Sequence, residues 1–414
     1  MARLCADLHQ AASAPGANAR IALRVPQSSV KSRVVPKHAD PVPLLDLQRQ
    51  YQPLREEILA AIERVCASQH FILGAEVEAL EREIAAFTDA KAAVGCGSGT
   101  DALWLALLAA GVQPSDAVIT TTFSFFASAS AIARVGAQPV LVDIDPQTFN
   151  LDPSCAEREL RDRSNVRAML PVHLYGQCAD MDALGRLAEE FKVLIVEDAA
   201  QAIGAAWGDQ RAGSLGMAAA FSFYPTKNLN AFGEAGMVTT RDPDMADHMR
   251  RLRAHGSSQR YLHEELGWNA RMDAIQAAVL RVKLPHVGEW NRKRREHAAT
   301  YKGLFERAGL VGGNAPVGLP HVSAKAHHIF HQYVIRARRR DDLRQFLAER
   351  MISTEVYYPI PLHLQPVFAY LGYREGDLPE SERAAKEVLA IPMFPELREE
   401  EQRWVVQSIA DFYS

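Results

Sequence analysis

The chain has 414 residues, 48% hydrophobic and 23% charged, the make-up of a soluble globular protein of two or three domains at about 150 residues each. Lys and Arg number 46 against 50 Asp and Glu, a net charge of −4, so no basic excess points to nucleic acid. No apolar run approaches the ~20 residues of a membrane helix, and the five cysteines include no CxxC pair, which fits free thiols in a reducing cytoplasm.

Residues 1–40 carry Pro15, Gly16, Pro26 and Pro36 among Ala and Ser, with basic residues in excess. No apolar core with a cleavage site follows, so we expect a disordered extension or an over-called start rather than a targeting peptide. Leu54, Ile58, Ile62 and Val65, then Val77, Leu80, Ile84 and Phe87, repeat at helical spacing, with Phe71-Ile72-Leu73-Gly74 as a glycine turn between them. Short apolar runs then alternate with helical patterns: 117–120, 140–142, 169–172 and 193–196. Strands this apolar are buried on both faces, which predicts a largely parallel sheet covered by helices. A helix follows Arg271, with Met272, Ile275, Val279 and Val282 as its stripe. Beyond about residue 300 the order changes to a helix, a strand at Tyr333-Val334-Ile335, a helix, a strand at Val356-Tyr357-Tyr358 and a closing helix: a smaller α+β domain.

Phe221-Ser222-Phe223-Tyr224-Pro225-Thr226-Lys227-Asn228 sets one lysine among aromatic and small residues. Desolvation lowers the pKa of such an amine and makes it a nucleophile toward carbonyls. The alternative is a snorkelling lysine at the end of a buried strand. Gly95-Cys96-Gly97-Ser98-Gly99-Thr100-Asp101 precedes a helix at 102–108. A glycine turn at a helix N-terminus offers free N–H groups to an anion; equally, Ser98 or Thr100 can simply cap the helix. GxGxxG fails at Thr100, and no Walker lysine is present. Glu197-Asp198-Ala199-Ala200-Gln201 follows a predicted strand, so Asp198 stands where open parallel sheets bind ligands. It can pair with a pyridinium nitrogen or cap a helix. Among Thr121-Thr122-Phe123-Ser124-Phe125-Phe126-Ala127-Ser128, an aromatic can stack on a planar ring or sit in the core.

In this order these motifs resemble the DegT/DnrJ/EryC1/StrS family of sugar aminotransferases, from about Pro43 to the C-terminus. Further segments carry the resemblance: Pro171-Val172-His173-Leu174-Tyr175-Gly176-Gln177, His255-Gly256-Ser257-Ser258, Gly267-Trp268-Asn269-Ala270-Arg271-Met272 and Tyr357-Tyr358-Pro359-Ile360-Pro361-Leu362-His363. The resemblance implies an α/β fold-type I transferase dependent on pyridoxal 5'-phosphate. Its large domain would span 41–300, with a mainly parallel sheet sandwiched by helices, and its small α+β domain 301–414. Lys227 would bind the cofactor as a Schiff base and move the proton. Asp198 would hold the ring nitrogen, Gln201 the ring hydroxyl, and Phe125 would stack on the ring, with Phe123 and Phe126 as less favoured alternatives. Ser98, Gly99, Thr100 and Ser222 would hold the phosphate, joined by Asn269 from the partner of a homodimer with shared sites.

Substrate contacts are expected from Arg271, which can fork onto a carboxylate, and from His331, Tyr333 and His363, with His328 as a further candidate. The implied reaction moves an amino group from glutamate to a keto carbon, C3, of a dTDP- or UDP-linked sugar, in the cytoplasm, with no metal, nucleic acid or membrane. Cys96, Gly97 and Ala270 depart mildly from the family pattern and remove no chemical group the reaction needs. The rivals are a sugar dehydratase of the same fold, in which the lysine is replaced, and a non-catalytic regulatory protein.

Overall fold

The structure, a computed structural model, describes residues 40–414; the expected N-terminal extension lies outside the described residues. Among these, the main sheet has seven strands: β1 (Ala92–Cys96), β2 (Ala117–Thr121), β3 (Gln138–Val142), β4 (Val166–Leu170), β5 (Leu194–Asp198), β6 (Ala218–Ser222) and β7 (Gly236–Thr240). Their order is β1-β7-β6-β5-β4-β2-β3. β7 runs antiparallel to both its neighbours, and the remaining pairs are parallel. Successive side chains leave a strand on opposite faces. Val94, Val196 and Val238 therefore join one hydrophobic cluster, while Ala93 and Met237 join a second. Both faces are buried, as near-continuous apolar strands require.

Helices α1 (Arg55–Ser68) and α2 (Ala75–Phe87) form as the spacing predicts, with Ile58, Val65, Val77, Leu80 and Ile84 buried. Leu73 and Gly74 between them have φ of 57° and 81°, and glycine is the residue that adopts such angles without strain. Helix α3 (Gly99–Ala109) buries an unbroken run from Ala102 to Leu107. Apolar all round, it packs against β6, β7 and helix α4 (Ala127–Arg134).

Three local expectations need correction. Helix α5 (Ala274–Lys283) starts after Met272, and its most buried side chains are Ala277, Ala278, Val279 and Leu280, with Ile275 and Val282 half-buried. Its alanines let it lie close to α1 and α2, so the buried face is set by small residues that a stripe of large ones does not reveal. β4 ends at Leu170, before Pro171, which has no N–H for the ladder. Val356-Tyr357-Tyr358 is not a strand. The second sheet instead joins β8 (Val317–Gly318), β9 (Tyr333–Ala337) and β10 (Val388–Ile391). Pro359 and Pro361 cannot donate to a ladder, and only the bridge from Glu355 to Ala390 forms. The long helix α6 (Val287–Arg307) runs across residue 300, and α7 (Pro379–Glu387) precedes β10.

Candidate active site

The carboxyl ends of β1, β2, β5 and β6 meet at one edge of the sheet, and each delivers part of the site. β5 extends two residues past the end of the apolar run, so Glu197 and Asp198 are its last residues and point to opposite faces. Glu197 accepts hydrogen bonds from the backbone N–H groups of Gly213, Leu215 and Gly216 at 2.9, 2.8 and 2.7 Å, and so anchors the loop before β6. His173 Nε2 lies 2.9 Å from the same carboxylate. The N–H of Ala179 donates to His173 Nδ1 at 3.2 Å, so Nε2 carries the proton and donates to Glu197.

Asp198 turns the other way. No helix follows it, which removes the cap reading. Oδ2 accepts from the Ser128 hydroxyl at 2.7 Å, and Oδ1 from the Ala200 N–H at 3.2 Å. Burial pushes this carboxyl above the usual range, opposed by the Ser128 and Ala200 hydrogen bonds and by the charge of Lys227.

Lys227 is presented by a turn that Pro225 sets at its second position. The Lys227 N–H donates to Tyr224 O at 2.8 Å. Burial pulls its amine down to about 8, against the attraction of Asp198. A second lysine has the same shift: burial brings Lys283 to about 8. It donates to Asn230 O at 2.9 Å and to Asn230 Oδ1, and lies 4.5 Å from the Phe232 ring centre. Its neighbours in the chain are ordinary for a helix face, so short-range sequence does not single it out.

Gly99 opens α3 directly against β6: a Cβ there would sit 2.6 Å from Ser222 Cβ. The Ser98 hydroxyl accepts from the Asp101 N–H at 3.1 Å and donates to Asp101 Oδ2 at 3.0 Å. Ser98 is thus the helix cap, and its hydroxyl is already committed. The Gly99 and Thr100 N–H groups lie in the first turn of α3, where no helix carbonyl can reach them. Behind the turn, Glu81 accepts from Gly95 N–H at 2.9 Å and from Arg253 at 2.5 Å, while Arg253 also donates to Gly95 O at 2.7 Å.

Phe125 is 58% exposed, with its ring centre 6.2 Å from that of Tyr358. Phe123 is buried and Phe126 packs on Phe368, which leaves Phe125 as the aromatic free to stack on a ring. Gln201 accepts from the Tyr175 N–H at 2.7 Å and donates to Tyr358 OH at 3.2 Å. His331 Nδ1 lies 2.8 Å from Asn228 Oδ1. Burial, with Lys227 and Arg294 nearby, keeps its pKa well below the usual imidazole range.

Asn269 and Arg271 lie beside the glycine turn, on the Gly97 side: Gly97 N–H donates to Ala270 O at 3.0 Å, and Arg271 Nε to Asn269 Oδ1 at 3.0 Å. Two expected substrate residues lie elsewhere. Tyr333 is buried in the second sheet against Tyr301 and Phe330. His363 has both ring nitrogens engaged, by Thr122 at 2.8 Å and Glu382 at 3.1 Å, and ties the end of β2 to α7. His328 is buried too, stacked 3.9 Å from Phe330. Short-range sequence does not separate such core polar residues from ligand-facing ones. Ser128 and Tyr358, which touch Asp198 and Gln201 respectively, were not singled out in the sequence; the four-residue spacing of Ser124 and Ser128 after a strand was the available signal for the former. Among the described residues no group of three or more His, Cys, Asp or Glu could hold a metal ion, and no helix is long and apolar enough to cross a membrane.

A lysine of lowered pKa, a buried carboxylate, an exposed aromatic and an open helix N-terminus fit pyridoxal phosphate. The DegT/DnrJ/EryC1/StrS aminotransferase family matches residues 52–410. A pleiotropic regulatory protein of Geobacillus stearothermophilus is 53% identical over 90% of this chain and 98% of its own. A dTDP-3-amino-3,4,6-trideoxy-alpha-D-glucose transaminase of Streptomyces venezuelae is 44% identical over 90% of this chain and 96% of its own. Among solved structures, S. venezuelae DesV in complex with a ketimine intermediate superposes with a TM-score of 0.86 at 43% identity, covering 90% of this chain and 98% of that one. The chain belongs to the DegT/DnrJ/EryC1/StrS aminotransferase family.

Proposed function

We propose that this aminotransferase uses pyridoxal phosphate to move the amino group of glutamate to C3 of a dTDP- or UDP-linked keto sugar. The observation that carries the reading is Lys227, brought down to about 8 while facing the buried carboxylate of Asp198. When bound, the cofactor supplies an electron sink for the carbon that loses its proton. Asp198 would hold the ring nitrogen protonated, and Phe125 would cover one ring face. Gln201, fixed by Tyr175 and Tyr358, has a second amide hydrogen for the ring hydroxyl. The N–H groups of Gly99 and Thr100 and the Ser222 hydroxyl would receive the phosphate at the positive end of α3. An amine near 8 is neutral often enough at physiological pH to take a proton from the amino donor and return it to the sugar carbon.

We assign the site to a homodimer. Phe71, Ile72, Tyr261, Leu262, Leu266 and Trp268 are exposed, several of them on the loop leading to Asn269 and Arg271. An apolar cluster of this kind suits burial by a second copy, whose Asn269 would reach the phosphate and whose Arg271 would fork onto the donor carboxylate. The named C3 product of the S. venezuelae relative supports amination at C3, and the four free cysteines among the described residues suit a reducing cytoplasm.

The test is to incubate purified holoenzyme with glutamate and a dTDP- or UDP-linked 3-keto sugar. We expect 2-oxoglutarate and a 3-amino sugar. Amination at C4 would overturn the position assigned, and loss of a sugar hydroxyl without nitrogen would favour the dehydratase. No turnover of glutamate would favour the regulatory reading that the name of the Geobacillus relative suggests.

A further inference from the structure

Asp198 is held by a short chain of hydroxyls to which neither sequence motif nor relative assigns a role. Ser128 is fully buried in the first turn of α4. Its hydroxyl lies 2.7 Å from Asp198 Oδ2 and 2.8 Å from the Ser124 hydroxyl, itself buried. The direction of the chain follows from hydrogen-bonding capacity. An ionised carboxylate only accepts, so Ser128 donates to Asp198 and its lone pair receives the Ser124 proton. The N–H of Ala200 fixes the other oxygen at 3.2 Å. Two donors, one on each oxygen, define the plane of the carboxyl group. The N–H of Ser128 bonds to Phe125 O at 3.2 Å, so the turn that presents Phe125 also fixes Ser128.

We propose that Ser128, backed by Ser124, is the positioning residue of Asp198, locking the orientation of the carboxylate that would meet the N–H of a ring bound against Phe125. The proposal rests on the cofactor reading above. A bond from a neutral hydroxyl to a buried carboxylate also stabilises its charged form, which a ring nitrogen must meet to remain protonated. The other titratable groups around Asp198 are Lys227 on the turn after β6, His173 on the segment after β4, and Tyr358 on the segment before Pro359. None of these donates a hydrogen bond to it among the described residues, so Ser128 is the side chain whose loss alters the orientation directly.

The experiment is a double-mutant cycle on the apoprotein titrated with pyridoxal phosphate alone, using Ser128→Ala, Asp198→Asn and the double variant. Binding and the pH dependence of the bound cofactor's absorbance are both read. Ser128→Ala should weaken binding about tenfold, the loss of one hydrogen bond to a charged group, and shift the absorbance profile with pH. In the Asp198→Asn background the same substitution should have almost no effect. Ser124→Ala should act in the same direction but less. Equal losses in both backgrounds, with melting temperature falling in parallel, would make Ser128 a packing residue and overturn the proposal. So would wild-type binding and absorbance in Ser128→Ala. Failure of the unaltered protein to bind pyridoxal phosphate would overturn the cofactor reading itself.

Discussion

Lys227 and Lys283 are both brought to about 8 by burial, yet their neighbours give them different chemistry. Lys283 is held by the backbone and side-chain oxygens of Asn230, whereas Lys227 feels a carboxylate aligned by Ser128 and Ala200. The lowered pKa of Lys227 means that the folded chain binds fewer protons than the unfolded chain between about pH 8 and the ordinary lysine value of 10.5. Stability therefore rises with pH through that window, and below it the buried charge is a constant penalty. Lys227→Met in the cofactor-free protein is thus expected to be more stable at pH 7, by about 3 kcal/mol for a shift from 10.5 to about 8. The gain should shrink as pH rises from about 8 to 10.5, which calorimetry across that range checks. A pH-independent difference would mean that the amine is well solvated. At Asp198 the charge itself matters: Asp198→Asn should still bind the cofactor, with turnover down at least about a hundredfold. Turnover like wild type would leave Asp198 with a structural role alone.

At the scale of elements, the phosphate turn is held from behind. Glu81 joins Gly95 and Arg253 in one buried ion pair, so it couples α2 to the end of β1. Glu81→Ala would strand the Arg253 charge in the interior at about 3–5 kcal/mol. A melting temperature within a degree or two of wild type would show that the pair is dispensable. Strands and helices with large apolar residues at regular spacing, such as β2, β5, α1 and α2, were legible in the sequence. Lys227, Asp198, Gly99 and Phe125 could be singled out as candidates because each stands close to where a strand ends or a helix begins. Tyr333, His328 and His363 misled because a polar ring satisfied by a distant residue, as His363 is by Glu382, looks the same in sequence as one facing a ligand. Ser128 escaped notice for the opposite reason. Serines in helices are common, and its partner lies 70 positions away. The reading of 356–358 as a strand followed its aromatic character and neglected the prolines beyond it, while β10 is a four-residue run behind a polar helix.

Across the whole molecule, the dimer assignment predicts complementation. Lys227→Ala and Asn269→Ala subunits, each nearly inactive alone, should regain up to about a quarter of wild-type activity when mixed and allowed to exchange, because one site of the hybrid has all its residues. Absence of recovery in a mixture that has exchanged subunits would place Asn269 in the site of its own chain. The central claim, that Lys227 is the residue that takes the cofactor covalently, is tested most directly on the intact holoenzyme. Borohydride reduction followed by proteolysis and mass spectrometry should place the pyridoxyl group on Lys227. A pyridoxyl group on Lys283, the other buried lysine of lowered pKa among the described residues, would contradict the account.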